Sequence, residues 1–241
     1  MRSVSANGVP DPPSTIAVVD KCSLFGALDQ NDRRMLAEQS SLAHVERGKP
    51  IWLAGAPIEF VAVVGVGFVK MTKLTAHGQE IALELLGPGQ CFGLLAAIEQ
   101  RQYPLSAVAV SNCWFLKIPT RVVLPIYQGN AGLKDSMLRR LGPRLRKAHD
   151  MMTRLSSGRV EERLAAVLFV LADSYGERDA EGLYLQVPLT RQDLSEMAGT
   201  TVETTIRVMS RWQKQGILRT DSRVIRILDE DQLARVLASR G

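Results

Sequence analysis

The sequence predicts an α+β fold with its β structure first and its helices after, and three patterns carry that expectation. Between Ile51 and Pro119, short apolar runs such as Val61-Ala62-Val63-Val64, Phe68-Val69-Lys70-Met71 and Ile81-Ala82-Leu83-Glu84-Leu85 are punctuated by glycine and proline. Short strands at regular spacing with glycine turns fold as an antiparallel barrel or sandwich. From Leu133 to Leu155 leucine, alanine and methionine recur every third or fourth residue, which is the period of a helix. From Leu189 to Leu218 two short helical segments flank Gly199. Glycine there marks a tight turn, because it leaves a helix without a side-chain penalty.

Taken in order, Met1–Ser14 has no apolar stretch and is rich in Pro, Ser and Gly, so it does not fit a secretory signal. Residues 1–19 are assigned to a flexible tail. A helical segment, Leu28–Gln39, precedes the strands. With 46% hydrophobic residues in 241, the chain can bury one or two ordinary cores. Its longest apolar run falls far short of the ~20 residues of a membrane span, so no membrane partner is expected.

In the long helix, Leu138, Leu141, Leu145, Ala148, Met152 and Leu155 form a heptad seam. One seam on one helix needs a partner, and the same helix of a second subunit is the natural one. The alternative is a helix packed only on its own domain; the regularity of the spacing favours a homodimer. Gly142-Pro143 interrupts the pattern. Either the helix kinks there, or the true coiled coil starts at Pro143 as its first-turn residue. Ser156-Ser157-Gly158 is the expected hinge, and Val160–Tyr175 follows as an amphipathic helix with Leu164, Val167, Leu168 and Leu171 inward.

The segment Thr190–Ala198 opens on a hydroxyl cap and turns Leu194, Met197 and Ala198 toward a core. A second helix starts at Thr200 or Thr201, with Val202, Ile206, Met209 and Trp212 near its buried face. Glu203, Thr204, Arg207, Ser210 and Arg211 then face solvent. Acceptor, hydroxyl and guanidinium groups in the first turns of such a helix suit the major groove of double-stranded DNA. Arg207 can donate two parallel bonds to guanine O6 and N7, Glu203 can accept from cytosine N4, and Val202 can pack on a thymine methyl. A local alternative for Glu203 is a capping box with Thr200. Thr190, Arg191 and Gln192 are expected to contact phosphates, which position without reading sequence. Ile217–Leu228 reads as a two-strand wing, on which Arg219, Arg223 and Arg226 either reach phosphates or are merely solvated.

Charge agrees with that assignment. Residues from Ala131 onward hold 19 Lys and Arg against 15 Asp and Glu, whereas those up to Asn130 hold 11 against 10. Phosphate binding requires the excess in the C-terminal half. No paired carboxylates in a glycine-lined pocket, His–nucleophile arrangement, phosphate loop or metal-ligand spacing suggests catalysis or a metal site. The competing classes are an enzyme ending in a winged helix and a dimeric scaffold bound to protein; Arg207 speaks against the second.

The run Leu189-Thr190-Arg191-Gln192-Asp193-Leu194, then Gly199, Val202-Glu203-Thr204, Arg207 and Gln215-Gly216-Ile217-Leu218, resembles the DNA-recognition segment of the Crp–Fnr family of bacterial transcription regulators. Glu161-Glu162-Arg163-Leu164-Ala165 continues the likeness, which extends loosely back to Leu24. Gly78-Gln79-Glu80 and Leu86–Gly93 resemble the jelly-roll sensor domain of cyclic-nucleotide-binding proteins. The resemblance implies a sensor domain over 20–130, a dimerisation helix over 131–157 and a winged helix-turn-helix over 158–241. It further implies a palindromic promoter site, a bacterial cytoplasmic setting and RNA polymerase as a partner. Val202-Glu203-Thr204 is similar to the fumarate–nitrate branch, whose half-sites begin TTGA. Ile206 departs from it, standing where that branch uses a serine.

The sensor's effector is left unassigned. The family holds a cyclic nucleotide with a Glu after the Phe-x-Gly turn and an Arg-Ser pair, where this chain has Leu94 and Leu105. Burying a cyclic phosphate without a paired cation is costly, so cyclic AMP and cyclic GMP are not expected. Cys22, Cys91 and Cys113 are too few for an iron–sulfur cluster, so none is expected, and they read as reduced, partly buried thiols. Haem, which some relatives use, would have only His44, His77 and His149 to draw on, His149 being on the dimer helix.

Overall fold

The computed structural model describes residues 11–238, and the first ten residues of the tail expected over 1–19 lie outside them. The described chain divides into two compact units, 11–73 with 83–144 and 74–82 with 145–238. That division falls inside the helix expected to stand alone over 131–157.

The first unit opens on α1 (Thr15–Lys21), so the expected tail is too long at its C-terminal end. Ser14 caps α1 by accepting from the Ala17 amide at 3.3 Å, and Val18 and Val19 are fully inside the core. Two adjacent valines gain enough from burial to order a helix of two turns. A 3-10 turn (Phe25–Ala27) leads to α2 (Gln30–Glu38), capped by Asp29, whose carboxylate accepts from the Asp32 amide at 2.8 Å.

Eight strands follow: β1 (Ser41–Val45), β2 (Pro50–Trp52), β3 (Phe60–Val66), β4 (Val69–Leu74), β5 (Glu80–Leu86), β6 (Cys91–Phe92), β7 (Ser106–Ala109) and β8 (Cys113–Pro119), with α3 (Leu94–Glu99) after β6. They form two four-stranded sheets, β1-β8-β3-β6 and β2-β7-β4-β5. β1 begins ten residues before the expected start, pairing Ser41–Val45 antiparallel to Lys117–Cys113. β3 is covered on both faces. Val61 and Val63 join the core under α1 and α2, while Ala62 and Val64 line the roll interior. An antiparallel strand normally alternates, and this one is apolar throughout because neither face meets water.

After β8 comes α4 (Thr120–Gly129) and then α5 (Ala131–Ser157). Asn130 accepts from the Leu133 amide at 2.8 Å and so caps the start of α5. The helix runs through Gly142-Pro143, so Pro143 lies inside α5 and is not its first-turn residue. Proline removes one rung of the ladder there and the turns on either side hold. Leu133 and Met137 are buried in the first unit and Leu141 packs against the same core. This anchoring is why the first half of α5 belongs to the roll rather than to a separate segment. Leu138, Leu145 and Met152 are 66%, 59% and 63% exposed, and Ala148 is exposed with them. The side chain of Leu155 lies outside the described residues.

The second unit holds α6 (Val160–Tyr175), β9 (Gly176–Asp179), β10 (Gly182–Leu185), α7 (Arg191–Ala198), α8 (Val202–Lys214), β11 (Leu218–Asp221), β12 (Val224–Ile227) and α9 (Glu230–Ala238). The expected two-strand wing is half of a four-stranded sheet in the order β11-β12-β10-β9. The added hairpin has a weak signal, since only Leu183 and Leu185 alternate inward on β10. Among the described residues no helix is long and apolar enough to cross a membrane.

Candidate nucleic-acid interface

The helix-turn-helix is built from local capping. Thr190 and Asp193 form a reciprocal box: the Asp193 amide donates to Thr190 Oγ1 at 3.2 Å, and the Thr190 amide donates to Asp193 Oδ2 at 2.9 Å. Gly199 ends α7 in the left-handed region (φ 58°), which favours glycine. Its carbonyl accepts from Arg163 Nη2 at 3.2 Å, so α6 holds the turn that sets the angle between α7 and α8. The sequence places Arg163 in a family-like run without revealing this contact, which depends on residues 36 positions apart.

Thr201, not Thr200, caps α8, accepting from the Thr204 amide at 3.2 Å. Glu203 is therefore not the third residue of a capping box, and that alternative role falls away. The buried face also differs from expectation. It consists of Thr205, Val208, Met209 and Trp212, while Ile206 is 47% exposed. Thr205 can be buried because its hydroxyl donates to the Thr201 carbonyl at 3.0 Å, leaving no orphaned polar atom. The one-residue change of phase turns Ile206 outward, one helical step from Glu203 and Arg207.

Glu203, Ile206, Arg207 and Ser210 are all exposed, at the i, i+3, i+4 and i+7 spacing of one helix stripe. Neither Glu203 nor Arg207 is in an ion pair among the described residues. Val202 is half-buried. Thr204 is half-buried too, its hydroxyl held by the Thr201 hydroxyl at 3.1 Å. Arg211, further along, is tied to Glu161 at 2.9 Å. That bond holds the Glu161 carboxyl below the usual carboxylate range.

Flanking cations divide into tied and free. Arg191 is half-buried, donates to Thr220 Oγ1 of β11 at 3.1 Å, and has its pKa lowered by that burial. It links α7 to the wing as well as standing near the surface. Gln192 is exposed and donates to Glu196 Oε1 at 2.8 Å. Arg219 pairs with Glu181 at 2.5 Å, and Arg226 pairs with Asp179. Arg223 sits at the tip of the β11–β12 hairpin with φ 73°, exposed and in no ion pair among the described residues. Of the three wing arginines, the geometry leaves Arg223 as the free one.

The chain matches two family models, the Crp-like helix-turn-helix domain over residues 162–236 and the cyclic nucleotide-binding domain over residues 42–130. It is 27% identical over 192 residues to the fumarate and nitrate reduction regulatory protein of Escherichia coli (strain K12), covering 80% of this chain and 76% of that protein. It is 29% identical over 191 residues to the anaerobic regulatory protein of Pasteurella multocida (strain Pm70), covering 77% of this chain and 70% of that one. Among solved structures, FixK2 from Bradyrhizobium japonicum superposes with a TM-score of 0.73 at 23% identity, covering 84% of this chain and 99% of that chain. The chain belongs to the Crp–Fnr family of transcription regulators.

As a Crp–Fnr regulator it carries both parts of that architecture, a cyclic-nucleotide-binding-type β domain and a DNA-binding helix-turn-helix. In the β domain, Leu94 is buried in the core under the helices and Leu105 packs against the roll core. The roll interior is filled by aromatic rings. Trp52 stacks on Tyr103 with centroids 4.1 Å apart and meets Phe92 at 4.9 Å and Phe60 at 5.5 Å. Two polar handles lock this set, Trp52 Nε1 donating to the Leu105 carbonyl at 3.0 Å and Tyr103 Oη donating to the Phe60 carbonyl at 2.5 Å. Nothing in the sequence pattern brought these rings together.

His149 is exposed on α5 and His77 is exposed at the β4–β5 turn, while His44 lies against Trp114 with centroids 5.0 Å apart. Cys113 is buried in the roll core, and burial pushes its thiol pKa up to about 12. Cys22 belongs to the core cluster under the helices, and Cys91 packs against that cluster.

Proposed function

We propose that this regulator binds a palindromic site on double-stranded DNA as a homodimer, with one α8 in the major groove of each half-site. The observation that carries the reading is the exposed stripe of Glu203, Ile206 and Arg207, whose two charged groups have no ion-pair partner among the described residues. Arg207 donates to guanine O6 and N7, and Glu203 accepts from cytosine N4. Val202 and Ile206 supply apolar contacts to thymine methyls, which favours a TTGA-like core. Thr190, Arg191, Gln192 and Arg223 hold phosphates, and Thr204 supports the start of the helix.

The homodimer reading rests on Leu138, Leu145, Ala148 and Met152, exposed along α5 in the seam that Leu141 and Leu155 complete. An apolar stripe left in water forgoes ~25 cal/mol per Å2 of burial, and a second copy of α5 recovers it. The regulator acts in the cytoplasm by binding, with RNA polymerase as the downstream partner. The sensor domain works without cyclic AMP or cyclic GMP. Leucines at 94 and 105 offer no cation to a cyclic phosphate, and aromatic rings occupy the roll interior.

In-vitro selection on random-sequence DNA tests the reading. The expected motif is a two-fold palindrome, and Arg207→Ala relaxes it at one guanine per half-site. An unchanged motif in that variant would overturn the assignment of Arg207.

A further inference from the structure

We propose that Arg163 is a positioning residue for DNA recognition: it ties the α5–α6 junction to the helix-turn-helix and thereby sets the spacing of the two half-sites. Gly158 and Arg159 alone separate α5, which ends at Ser157, from α6, which starts at Val160. Such a junction swivels unless something holds it, because glycine restricts the backbone least. The start of α6 has no side-chain cap, since Arg159 stands at the N-cap and has no acceptor to offer the first amides. Arg163, one turn into α6, supplies a restraint of another kind: its Nη1 donates to the Gly158 carbonyl at 3.5 Å.

The same guanidinium reaches the recognition motif. Its Nη2 donates to the Gly199 carbonyl at 3.2 Å, at the turn between α7 and α8. One planar group therefore spans two backbone carbonyls far apart in sequence, and its rigid fork of donors fixes their separation. Lysine, with a single compact ammonium, lacks that span. Arg163 Nε is buried and finds no partner among the described residues. A buried donor left unsatisfied is costly, so the two carbonyls, rather than full satisfaction of the group, set its orientation. Glu161, two residues earlier on α6, holds Arg211 toward the far end of α8 at 2.9 Å. The first turn of α6 thus holds α8 at its entrance and near its exit, and α8 follows the junction as one piece.

The restraint matters once two copies bind together, so the inference rests on the proposed dimer on a palindrome. In such a complex the half-site separation mirrors the distance between the recognition helices. The seam on α5 ties each subunit to the two-fold axis, and the chain from there to α8 passes through Gly158. One extra base pair moves the half-sites about 3.4 Å apart along the duplex and turns them by roughly a tenth of a turn. A junction held through both carbonyls resists that displacement, whereas a swivelling one accommodates it. Arg163 acts through Gly158 and Gly199 and touches no base.

The test uses the full chain and three duplexes: the palindrome selected by wild type, and the same palindrome with its central spacer one base pair longer or shorter. Wild type should favour its selected spacer by roughly tenfold in Kd, about the discrimination of one mismatched base pair. Arg163→Lys and Arg163→Gln should bind the three duplexes within about threefold of one another. Their affinity for non-specific DNA, set by phosphate contacts, should stay at the wild-type level. An equal loss on all three duplexes, with the spacer preference kept, would make Arg163 merely structural. Unchanged binding to all three would remove it from recognition, and either result overturns the proposal. A wild type with no spacer preference would instead overturn the palindromic-dimer reading, and the role of Arg163 with it. If the variants fail to fold, wild type decides. Phenylglyoxal should modify the exposed Arg207 and Arg223 well before Arg163, and an Arg163 that reacts as fast as they do would overturn the bridge.

Discussion

The interior of the β-roll and the exposed stripe of α8 handle their functional groups in opposite ways. In the roll, Trp52 Nε1 and Tyr103 Oη are satisfied by the carbonyls of Leu105 and Phe60, and their rings fill the space between the sheets. On α8, Glu203 and Arg207 face outward without ion-pair partners among the described residues, although carboxylates and guanidiniums elsewhere in that unit pair freely. Buried polar groups without partners cost about 1–3 kcal/mol each, so a packed interior closes on itself. An exposed charge pays no such penalty, and leaving it unpaired keeps its hydrogen-bonding capacity for a partner. The α8 stripe therefore keeps the hydrogen-bonding capacity that the proposed DNA contact would use, while the polar groups of the roll interior are satisfied within it.

The largest expected effect comes from separating the subunits. Leu145→Asp would place two like charges across the proposed seam, and sedimentation at micromolar concentration should show monomer, with specific DNA binding lost. A wild type that sediments as monomer under the same conditions would remove the dimer from the reading.

Next in size is the roll interior. Trp52→Ala removes the ring that stacks on Tyr103 and should cost ~3–5 kcal/mol in urea unfolding. If the cost is below ~1 kcal/mol, the interior is not the closed core that its stacking indicates. The corresponding change on the open side, Arg207→Ala, should cost roughly 1–3 kcal/mol of DNA affinity per half-site. It should leave urea stability within about 0.5 kcal/mol of wild type, as for an exposed side chain. A variant that loses stability instead would show Arg207 to be structural. Cyclic AMP at millimolar concentration should shift neither the thermal midpoint nor calorimetric heats, and a saturable heat would reopen the roll as a nucleotide site.

Smallest is the tie between α6 and α8. Arg211 holds the Glu161 carboxyl below its ordinary value, so the bond's contribution is fully present above the unfolded carboxylate pKa and fades as pH falls through the folded one. Both partners are a third or more exposed, which limits the contribution to ~0.2–1 kcal/mol. Glu161→Gln should therefore lose a few tenths of a kcal/mol near pH 7 and nothing in strong acid. Equal losses at both pH values would assign the effect to packing.

Much of the architecture was legible in order and period. The span Val160–Tyr175, the Thr190 cap and the Gly199 turn depend on residues near in sequence, and local rules place them correctly. The phase of α8 was not legible. Choosing Ile206 for the buried face follows hydrophobicity, while the structure buries Thr205, because a threonine hydroxyl can bond the carbonyl four residues back. The tail's inner limit escaped for a similar reason, as α1 is ordered by Val18 and Val19 packing into a core that composition does not show.

By itself, then, the sequence determined the strand-rich stretch ahead of the long helix and the helix-turn-helix that carries Glu203 and Arg207. Those features lie within a few residues of one another, where backbone preference and side-chain chemistry decide. Only the tertiary structure decided that Arg163 holds the Gly199 turn and that Arg226 and Arg219 are tied while Arg223 is free. Each joins residues tens of positions apart, and such contacts arise from how sheets and helices pack, which no local spacing encodes.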